Sequence, residues 1–577
     1  MYNIVDPRQK RAFDPFEPVL SPPAYRRIRE GWQGLFRHVI LELLPVRAVA
    51  KQFSPNMGAP SKELYSMAGL LLIKEFKDWT TTEAAEAYMF NADVQYALNL
   101  EPAQQSMSER SIERYENIFI NDELATLIMA RVTTRLVQVL DQDVTRQRVD
   151  STHVFSDMAV FGRTRLMGVS IKRFLTQLKR HDREAYDRLD EALRQRYAPS
   201  MGHLFGDTAK GSESRRQLQQ DVAEQMHQLI EQFADCDAVQ GWQTYKHLRQ
   251  VFQEQCEIVQ DAVQVKTHPG NDVMQNPSDP DATRDGHKGP GYQVQIAETC
   301  SHANEAELIT SAIPQTASDD DRHAMPEVLE DLERNGLLPE TMLGDGHYGS
   351  DESVQVGADK GVDVQAPVSG PSPHDVDELN IDDFVVDEAS ETVQRCPAGH
   401  EPVESTHDSD TDRTRTIMPE AACAGCAFLD ECPVRCVRGQ YVLAHTGKAR
   451  RLASRRREQA TEAFRTSYQL RAGIESTNGG LKRREGLGRI RARGQPRVFY
   501  KILMKICGWN VLRAAATKRV RTLIAKMVPV GGLRHHFSGD SGVMWSLGCA
   551  FGHLGASWAA LVRPAPFPLC PEASHVA

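Results

Sequence analysis

The chain has little of what a secreted or membrane-embedded protein needs. Its first residues, MYNIVDPRQKRAFDPF, are polar, so we expect no signal peptide. The best candidate for a membrane span, residues 543–562, contains His553 and several Gly and Ser residues, so we expect no membrane contact. These absences favour the cytoplasm, where the 11 cysteines are thiols or metal ligands rather than disulfides.

Acidic residues are scarce in one segment of an otherwise acidic chain. The net charge is -10, yet residues 435–534 contain 25 Lys and Arg against 4 Asp and Glu, so the rest carries -31. A solvated helical face rarely has such a surplus, and the segment therefore indicates binding to a polyanion. At 577 residues, the chain is too long for one core and should form roughly two to four domains.

The order of helical and strand patterns indicates an α/β protein. Residues 24–140 have helical patterns, with Ser61 and Thr82 as expected N-caps. The segment around KDWTTTEAAEAY is either a helix-turn-helix DNA reader or a pair of packing helices. Strand patterns follow at 145–155 and in a hairpin at 291–313, and a short one ends in TMLGDG. A charged helical insertion interrupts them, so we expect a sheet with flanking helices.

Three carboxylates stand out by their positions. Asp150 ends a strand in VDST, Asp345 ends another in LGDGHYG, and Glu475 lies on a late helix. Phosphodiester chemistry with two divalent cations needs such hard oxygen ligands from neighbouring elements. Singly, each has an ordinary explanation, as a turn residue or, for Glu475, as the i+4 ion-pair partner of Arg471.

The helix around Glu475 strengthens the catalytic interpretation. Tyr468, Arg471, Glu475 and Lys482 fall within about 60° of one another on a continuous helix, which would present them as one stripe. A carboxylate flanked by groups that bind phosphate oxygens suits a metal ligand whose substrate lies across the same face. A helix break at Gly479 and Gly480 would remove Lys482 from this stripe.

The spacing Tyr468-x2-Arg471-x3-Glu475-x6-Lys482 resembles the Y-R-E-K signature of bacterial insertion-sequence transposases with a DDE active site. DSTHVFSDMAVFGRTR at 150–165 is similar to the first-Asp motif of one branch of that group. Residues 275–299 and 343–353 resemble its second-strand and second-Asp regions, and 54–76 resembles its N-terminal helical domain. The resemblance covers about residues 20 to 515.

The resemblance implies an RNase H-like catalytic core that uses two Mg²⁺ or Mn²⁺ ions. Its catalytic metal ligands would be Asp150, Asp345 and Glu475. Its contacts with double-stranded DNA would come from Tyr468, Arg471, Lys482, Arg483 and Arg484. It also implies a homodimer in the complex with element ends and target DNA.

A cysteine cluster indicates a structural zinc site in a reducing compartment. RCPAGH at 395–400 precedes CAGCAFLDECPVRC, and the CxxC pair with further cysteines nearby is typical zinc spacing. We choose four ligands because CPAG and CAGC both resemble zinc-knuckle turns: Cys396, Cys423, Cys426 and Cys432. His400 and Cys436 remain alternatives for the fourth place, and a redox pair or buried thiols are the competing interpretations.

These observations predict the following organisation and activity. The expected domains are an N-terminal helical DNA-end-binding domain (1–140), a first core part (141–355) with a helical insertion (160–265), a zinc-binding insertion (356–450), a second core part with Glu475 (451–530) and a tail (531–577). A transposase would cleave the ends of its element and join the 3′-hydroxyls to target DNA. The alternatives are an inactive zinc-bearing DNA-binding regulator and a nuclease without strand transfer.

Overall fold

The structure of the chain is a computed structural model that describes residues 2–9, 13–54, 56–58, 60–102, 105–205, 212–368, 379–387 and 389–527. The apolar stretch at 543–562 and the predicted tail at 531–577 lie outside these residues. Within the described ranges, no helix combines the length and the apolar character needed to cross a membrane. The described residues form a mixed α/β fold.

Helices precede the first strand, as the sequence predicts. They are α1 (Pro22–Glu30), α2 (Trp32–Leu35), α3 (Val46–Ala50), α4 (Leu64–Phe76), α5 (Thr81–Phe90), α6 (Ala92–Ala97), α7 (Glu109–Asn121) and α8 (Leu124–Leu140). The predicted N-caps Ser61 and Thr82 are wrong. Glu63 caps α4 because its carboxylate accepts two backbone N–H groups, and Thr80 caps α5 in a capping box with Glu83.

The first strand, β1 (Arg146–Val154), is followed by a helical segment with a core of its own. This segment contains α9 (Arg163–His181), α10 (Arg183–Asp187), α11 (Glu191–Arg196), α12 (Ser212–Gln232), α13 (Asp237–Gln240), α14 (Gln243–Gln255), β2 (Cys256–Val259) and β3 (Ala262–Val265). Its helices bury a separate apolar cluster that includes Phe174, Tyr245 and Leu248. A separate core lets the segment interrupt the sheet without contributing to it.

The central sheet forms around β1. Its other strands are β4 (Thr283–Asp285), β5 (Gly289–Thr299), β6 (Ile309–Thr316), β7 (Thr341–Leu343) and β8 (Asp363–Gln365), with α15 (Met325–Arg334) and α16 (Asp351–Asp359) between them. β1 pairs antiparallel with β5 and parallel with β7, β8 extends the parallel side, and β4 and β6 both pair with β5. The predicted antiparallel hairpin is confirmed in β5 and β6.

Asp150 lies in the middle of β1, not at its end as predicted. The strand continues because residues 151–154 pair with β5 in unbroken register, with Asp150 opposite Ile296. On the other side, Arg148 lies opposite Leu343 in the parallel strand β7. This register brings the end of β7, and therefore Asp345 two residues later, close to the centre of β1.

The cysteine-bearing segment folds as a small antiparallel unit. It contains β9 (Val385–Val386), β10 (Val393–Arg395), β11 (Glu404–Asp408), β12 (Arg413–Met418), α17 (Glu420–Cys423), β13 (Arg435–Val437) and β14 (Gln440–Thr446). Four of the strands form a sheet in the order β11-β12-β14-β13. Its small core includes Cys423, Met418 and Leu443, an apolar content too small to stabilise such a unit strongly.

The basic segment is helical, but the predicted continuous helix across Tyr468 and Lys482 is wrong. The helices are α18 (Gly447–Ala460), α19 (Glu462–Tyr468), α20 (Gly473–Arg484), α21 (Gln495–Ala515) and α22 (Lys518–Met527). A 3₁₀ turn at Gln469–Ala472 separates α19 from α20, because Arg148 binds the Leu470 carbonyl inside it. The helix continues through Gly479 and Gly480, so the break that the two glycines left open does not occur.

Gly480 is needed because α20 packs directly on α21. A Cβ atom there would lie 2.3 Å from the Trp509 ring, whereas at Gly479 it would meet only the end of the Arg483 side chain at 3.2 Å. We therefore expect Gly480→Ala to lower the free energy of unfolding by about 1–3 kcal/mol through overpacking. Gly479→Ala, the matched control, should leave it unchanged or raise it by up to about 1 kcal/mol. Equal chemical denaturation curves for the two variants would contradict this packing.

Candidate active site

Three carboxylates from distant parts of the chain converge on Arg471. This arginine lies in the 3₁₀ turn before α20, and its Nη2 is 3.4 Å from Asp150 Oδ1 and 3.7 Å from Asp345 Oδ2. Its Nη1 is 3.2 Å from Glu475 Oε1. The predicted ion pair of Arg471 and Glu475 therefore exists, but it is one edge of a larger cluster. The structure thus brings the three predicted acidic residues to one place.

The three carboxylates differ in their surroundings. The side chain of Asp150 is 16% exposed, that of Asp345 30% and that of Glu475 69%. Burial raises the pKa of Asp150 to about 6, against the opposing effect of Arg471, and the negative charge of Asp345 raises it further. Asp150 is therefore the carboxylate that would gain most from an added cation.

Hydrogen bonds from the backbone and from α20 hold the two aspartates in place. Asp150 Oδ1 accepts from the Ser151 backbone N–H at 3.0 Å, and Asp150 Oδ2 accepts from Asn478 Nδ2 at 3.1 Å. Asp345 Oδ1 accepts from the His347 backbone N–H at 2.8 Å. Asn478 lies on α20, three residues after Glu475, so the same helix supplies one carboxylate and orients another.

Tyr468 acts on the backbone next to Asp345. Its hydroxyl donates to the Gly344 carbonyl at 3.0 Å, and its ring stacks on Phe464 with centroids 5.4 Å apart. Tyr468 and Glu475 lie on different helices, and the 3₁₀ turn between these helices places both residues at the same site. Tyr468 and Arg471 therefore reach the aspartates from the turn, not from one helical stripe.

A buried ionic contact anchors this turn to the sheet. Arg148 Nη2 lies 2.6 Å from Glu298 Oε2, and Arg148 Nη1 donates to the Leu470 carbonyl at 2.7 Å. Thr477 Oγ1 donates to the other Glu298 oxygen at 2.6 Å, which also ties α20 to β5. Gly473 leaves room for the arginine, because a Cβ there would lie 2.1 Å from Arg148 Nη1.

Sequence reasoning missed Arg148, Glu298, Thr477 and Asn478. One signal was available: strand alternation places Arg148 on the same face of β1 as Asp150. Its partner could not be read from the sequence, because Glu298 is 150 positions away and becomes its neighbour only through β-sheet register.

Three of the predicted DNA-binding cations form the last turn of α20. Lys482, Arg483 and Arg484 are exposed at its C-terminal end, seven to nine positions after Glu475. Partial desolvation lowers the pKa of Lys482, and the positive charge of Lys288 on the β4–β5 turn lowers it further. The ammonium of Lys482 thus lies near both Lys288 and Asp150, and an anion would stabilise the two mutually repelling cations.

The donor set around Arg471 consists of hard oxygens, which suit Mg²⁺ or Mn²⁺. In the described part of the chain, no three His, Cys, Asp or Glu side chains form a group that could hold a metal ion. At this site, Arg471 lies between the acids. Asn478 Oδ1 is buried without a hydrogen-bond partner beside Asp150, and Arg471 Nε is likewise unpartnered. The chemistry of these side chains thus suits a divalent cation together with a phosphate group bound to it.

The four chosen cysteines line one cavity. Its wall also includes His400, while the exposed Cys436 lies outside it on β13. Burial raises the pKa of Cys423, and the thiols of the other three cysteines raise it further, which shows that the four are neighbours. The His400 backbone N–H donates to Cys396 Sγ at 3.4 Å, a contact that favours a thiolate. The described side chains nevertheless do not form a closed metal-ligand group.

Residues 395–515 match the protein family described as "Transposase DDE domain". The matched stretch contains the cysteine cavity, the Y-R-E-K residues and α21, but neither Asp150 nor Asp345. No curated protein and no solved structure matches the chain. The family match supports a transposase, an enzyme of DNA transposition and recombination, and it implies DNA binding.

The Arg148–Glu298 contact should dominate the stability of the site. We expect Arg148→Met to lower the free energy of unfolding by about 3–5 kcal/mol, because it leaves a fully buried carboxylate without a cation. Adding Glu298→Gln should recover part of the loss, since the neutral amide needs no counter-charge. Arg146→Met on the same strand is the control and should change stability by less than about 0.5 kcal/mol. Chemical denaturation of the variants measures these differences, and equal effects of the two arginine variants would contradict the anchor.

Proposed function

We propose that this chain is an insertion-sequence DDE transposase with Asp150, Asp345 and Glu475 as its catalytic carboxylates. The observation that carries the proposal is their convergence on Arg471 from three separate elements. An ordinary surface ion pair would not need two partly buried aspartates, one on β1 and one in the loop after β7. The family match over Glu475 and its helix supports the same conclusion.

The arrangement of the sheet supports an RNase H-like core. The strand that carries Asp150 lies between an antiparallel hairpin and the parallel strand that leads to Asp345. Such a mixed sheet lets one acid stand at mid-strand while a second follows a neighbouring strand. A helix packed alongside, α20, then supplies the third acid from outside the sheet.

Asp150, Asp345 and Glu475 would hold two Mg²⁺ or Mn²⁺ ions. When bound, these ions would supply charge stabilisation for the attacking and leaving oxygens of an in-line displacement at phosphorus. Asn478 orients the Asp150 carboxylate, and the Tyr468 hydroxyl fixes the backbone that precedes Asp345.

The cations of the basic segment would hold the DNA. The guanidinium of Arg471 contacts the acids, so it would bind a phosphate oxygen held beside them. The backbone phosphates would bind the exposed side chains of Lys482, Arg483 and Arg484. In this proposal, a homodimer in the cytoplasm binds the element ends, hydrolyses one strand at each and joins the 3′-hydroxyls to target DNA.

Neutral variants of the acids should separate binding from cleavage. We expect Asp150→Asn, Asp345→Asn and Glu475→Gln each to abolish Mg²⁺-dependent end cleavage while end binding survives, because only the ligand charge is lost. Gel-shift and strand-cleavage assays on the flanking inverted repeats measure both steps, with Asp320→Asn as a nearby acidic control. Wild-type cleavage by any one of the three variants would remove that residue from the site, and binding without cleavage by the wild type would favour the inactive regulator.

We further propose that Cys396, Cys423, Cys426 and Cys432 hold one structural Zn²⁺. A shared cavity, neighbouring thiols and the N–H contact to Cys396 Sγ support this assignment. Four thiolate ligands would close the coordination shell, which leaves no open position for catalysis. The small core of this unit gives the metal a clear role, since it would supply stability that apolar burial does not.

Metal analysis tests this site. Purified protein should contain about one zinc per chain, and Cys423→Ser should reduce the zinc content and the melting temperature of the unit. Cys436→Ser is the matched control and should change neither, because Cys436 is exposed outside the cavity. A folded protein free of zinc after expression in zinc-supplemented medium would refute the assignment.

A further inference from the structure

A fourth carboxylate, Asp321, lies behind the two aspartates of the site. It begins the 3₁₀ turn Asp321–His323 before α15. Its Oδ2 accepts from Ser151 Oγ at 2.7 Å, and its Oδ1 accepts from Gln295 Nε2 at 2.7 Å. Both donors are neutral, and Asp321 forms no ion pair with any side chain in the described ranges.

These contacts connect Asp321 to both aspartates. Ser151 follows Asp150 directly, and its backbone N–H donates to Asp150 Oδ1. On the other side, Gln295 accepts from the hydroxyl of the buried Tyr348, whose backbone N–H donates to the Asp345 carbonyl at 3.1 Å. One carboxylate therefore joins a chain of hydrogen bonds that begins beside Asp150 and ends beside Asp345.

The same contacts leave the charge of Asp321 uncompensated. Alternation along β1 points Ser151 to the sheet face opposite Asp150, so Asp321 approaches from behind the acids and not from the substrate side. Only Ser151 separates the two carboxylates, because its hydroxyl donates to Asp321 and its backbone N–H donates to Asp150, so the charge of Asp321 lies close to the site. Because it lies on the face of β1 opposite Asp150, we do not count Asp321 among the metal ligands.

We propose that Asp321 is a positioning residue for the proposed transposase reaction: it fixes the separation of Asp150 and Asp345 and increases the affinity of their site for a divalent cation. The proposal rests on the function proposed above. The hydrogen bonds of Asp321 supply the positioning, and its unpaired charge supplies the added attraction for the cation.

Two variants separate these effects. In Asp321→Asn, the amide can accept from Gln295 and donate to the Ser151 hydroxyl, which rotates to accept, so the geometry survives without the charge. Mn²⁺ binding to the metal-free full-length protein, followed by electron paramagnetic resonance, should weaken about three- to tenfold. End cleavage should fall at low Mn²⁺ and return to the wild-type rate at saturating Mn²⁺.

Asp321→Ala removes the acceptor as well as the charge. It should weaken Mn²⁺ binding to the same degree, and it should also lower the cleavage rate at saturating Mn²⁺, because Ser151 and Gln295 lose their shared partner.

The matched control is Asp320→Asn, one position earlier, where the carboxylate pairs with Arg322 instead of the site. The control should bind Mn²⁺ and cleave as the wild type does. Thermal unfolding of the metal-free variants identifies any variant that fails to fold. If Asp321→Ala fails to fold, Asp321→Asn alone decides the proposal.

The outcomes distinguish failure of the role proposed for Asp321 from failure of the proposed transposase function. Wild-type Mn²⁺ affinity in Asp321→Asn, or an equal loss in Asp320→Asn, would overturn the role of Asp321 and leave the transposase assignment intact. Asp150→Asn identifies the Mn²⁺ signal that belongs to the site, since it should abolish that signal. If the wild type neither cleaves element ends nor loses Mn²⁺ binding in Asp150→Asn, the proposed function itself fails.

Discussion

The attraction between Arg471 and three carboxylates is the interaction on which the site depends. Like charges in a partly buried place repel: burial and the charge of Asp345 raise the pKa of Asp150 to about 6 even though Arg471 opposes them. A single guanidinium with its donors in one plane can contact all three acids without closing the space between them. Arg471 therefore keeps the acids together while leaving negative charge uncompensated.

That interaction requires the 3₁₀ turn to sit at a fixed place on the sheet. Arg148 and Glu298 hold the turn there. They are register neighbours on β1 and β5. Arg148 binds the Leu470 carbonyl of the turn, and Glu298 accepts from the Thr477 hydroxyl of α20. The two are buried, so neither tolerates loss of the other. The stability of the fold and the geometry of the site thus rest on the same ion pair.

The N-terminal helices are joined to the site through α21. The ammonium of Lys505, 1% exposed, donates to the carbonyls of Glu75 and Glu485 and to Asp78 Oδ1. Glu485 ends α20, and Glu75 lies on α4, so one side chain connects the helix of Glu475 to the N-terminal helical bundle. The position of α20 relative to these helices is therefore tied to one buried side chain.

The sequence by itself determined the α/β class, the hairpin of β5 and β6 and the basic segment, because periodicity, charge and local spacing are short-range properties. It also singled out Asp150, Asp345 and Glu475 as candidate metal ligands. It placed Asp150 at a strand end and Tyr468 with Glu475 on one helix, and both placements were wrong. Strand pairing decided the first and the Arg148 contact decided the second. Only the tertiary structure decided that Arg148 contacts Glu298 and that Asp321 contacts Ser151, since sheet register and packing bring together residues that are 150 and 170 positions apart.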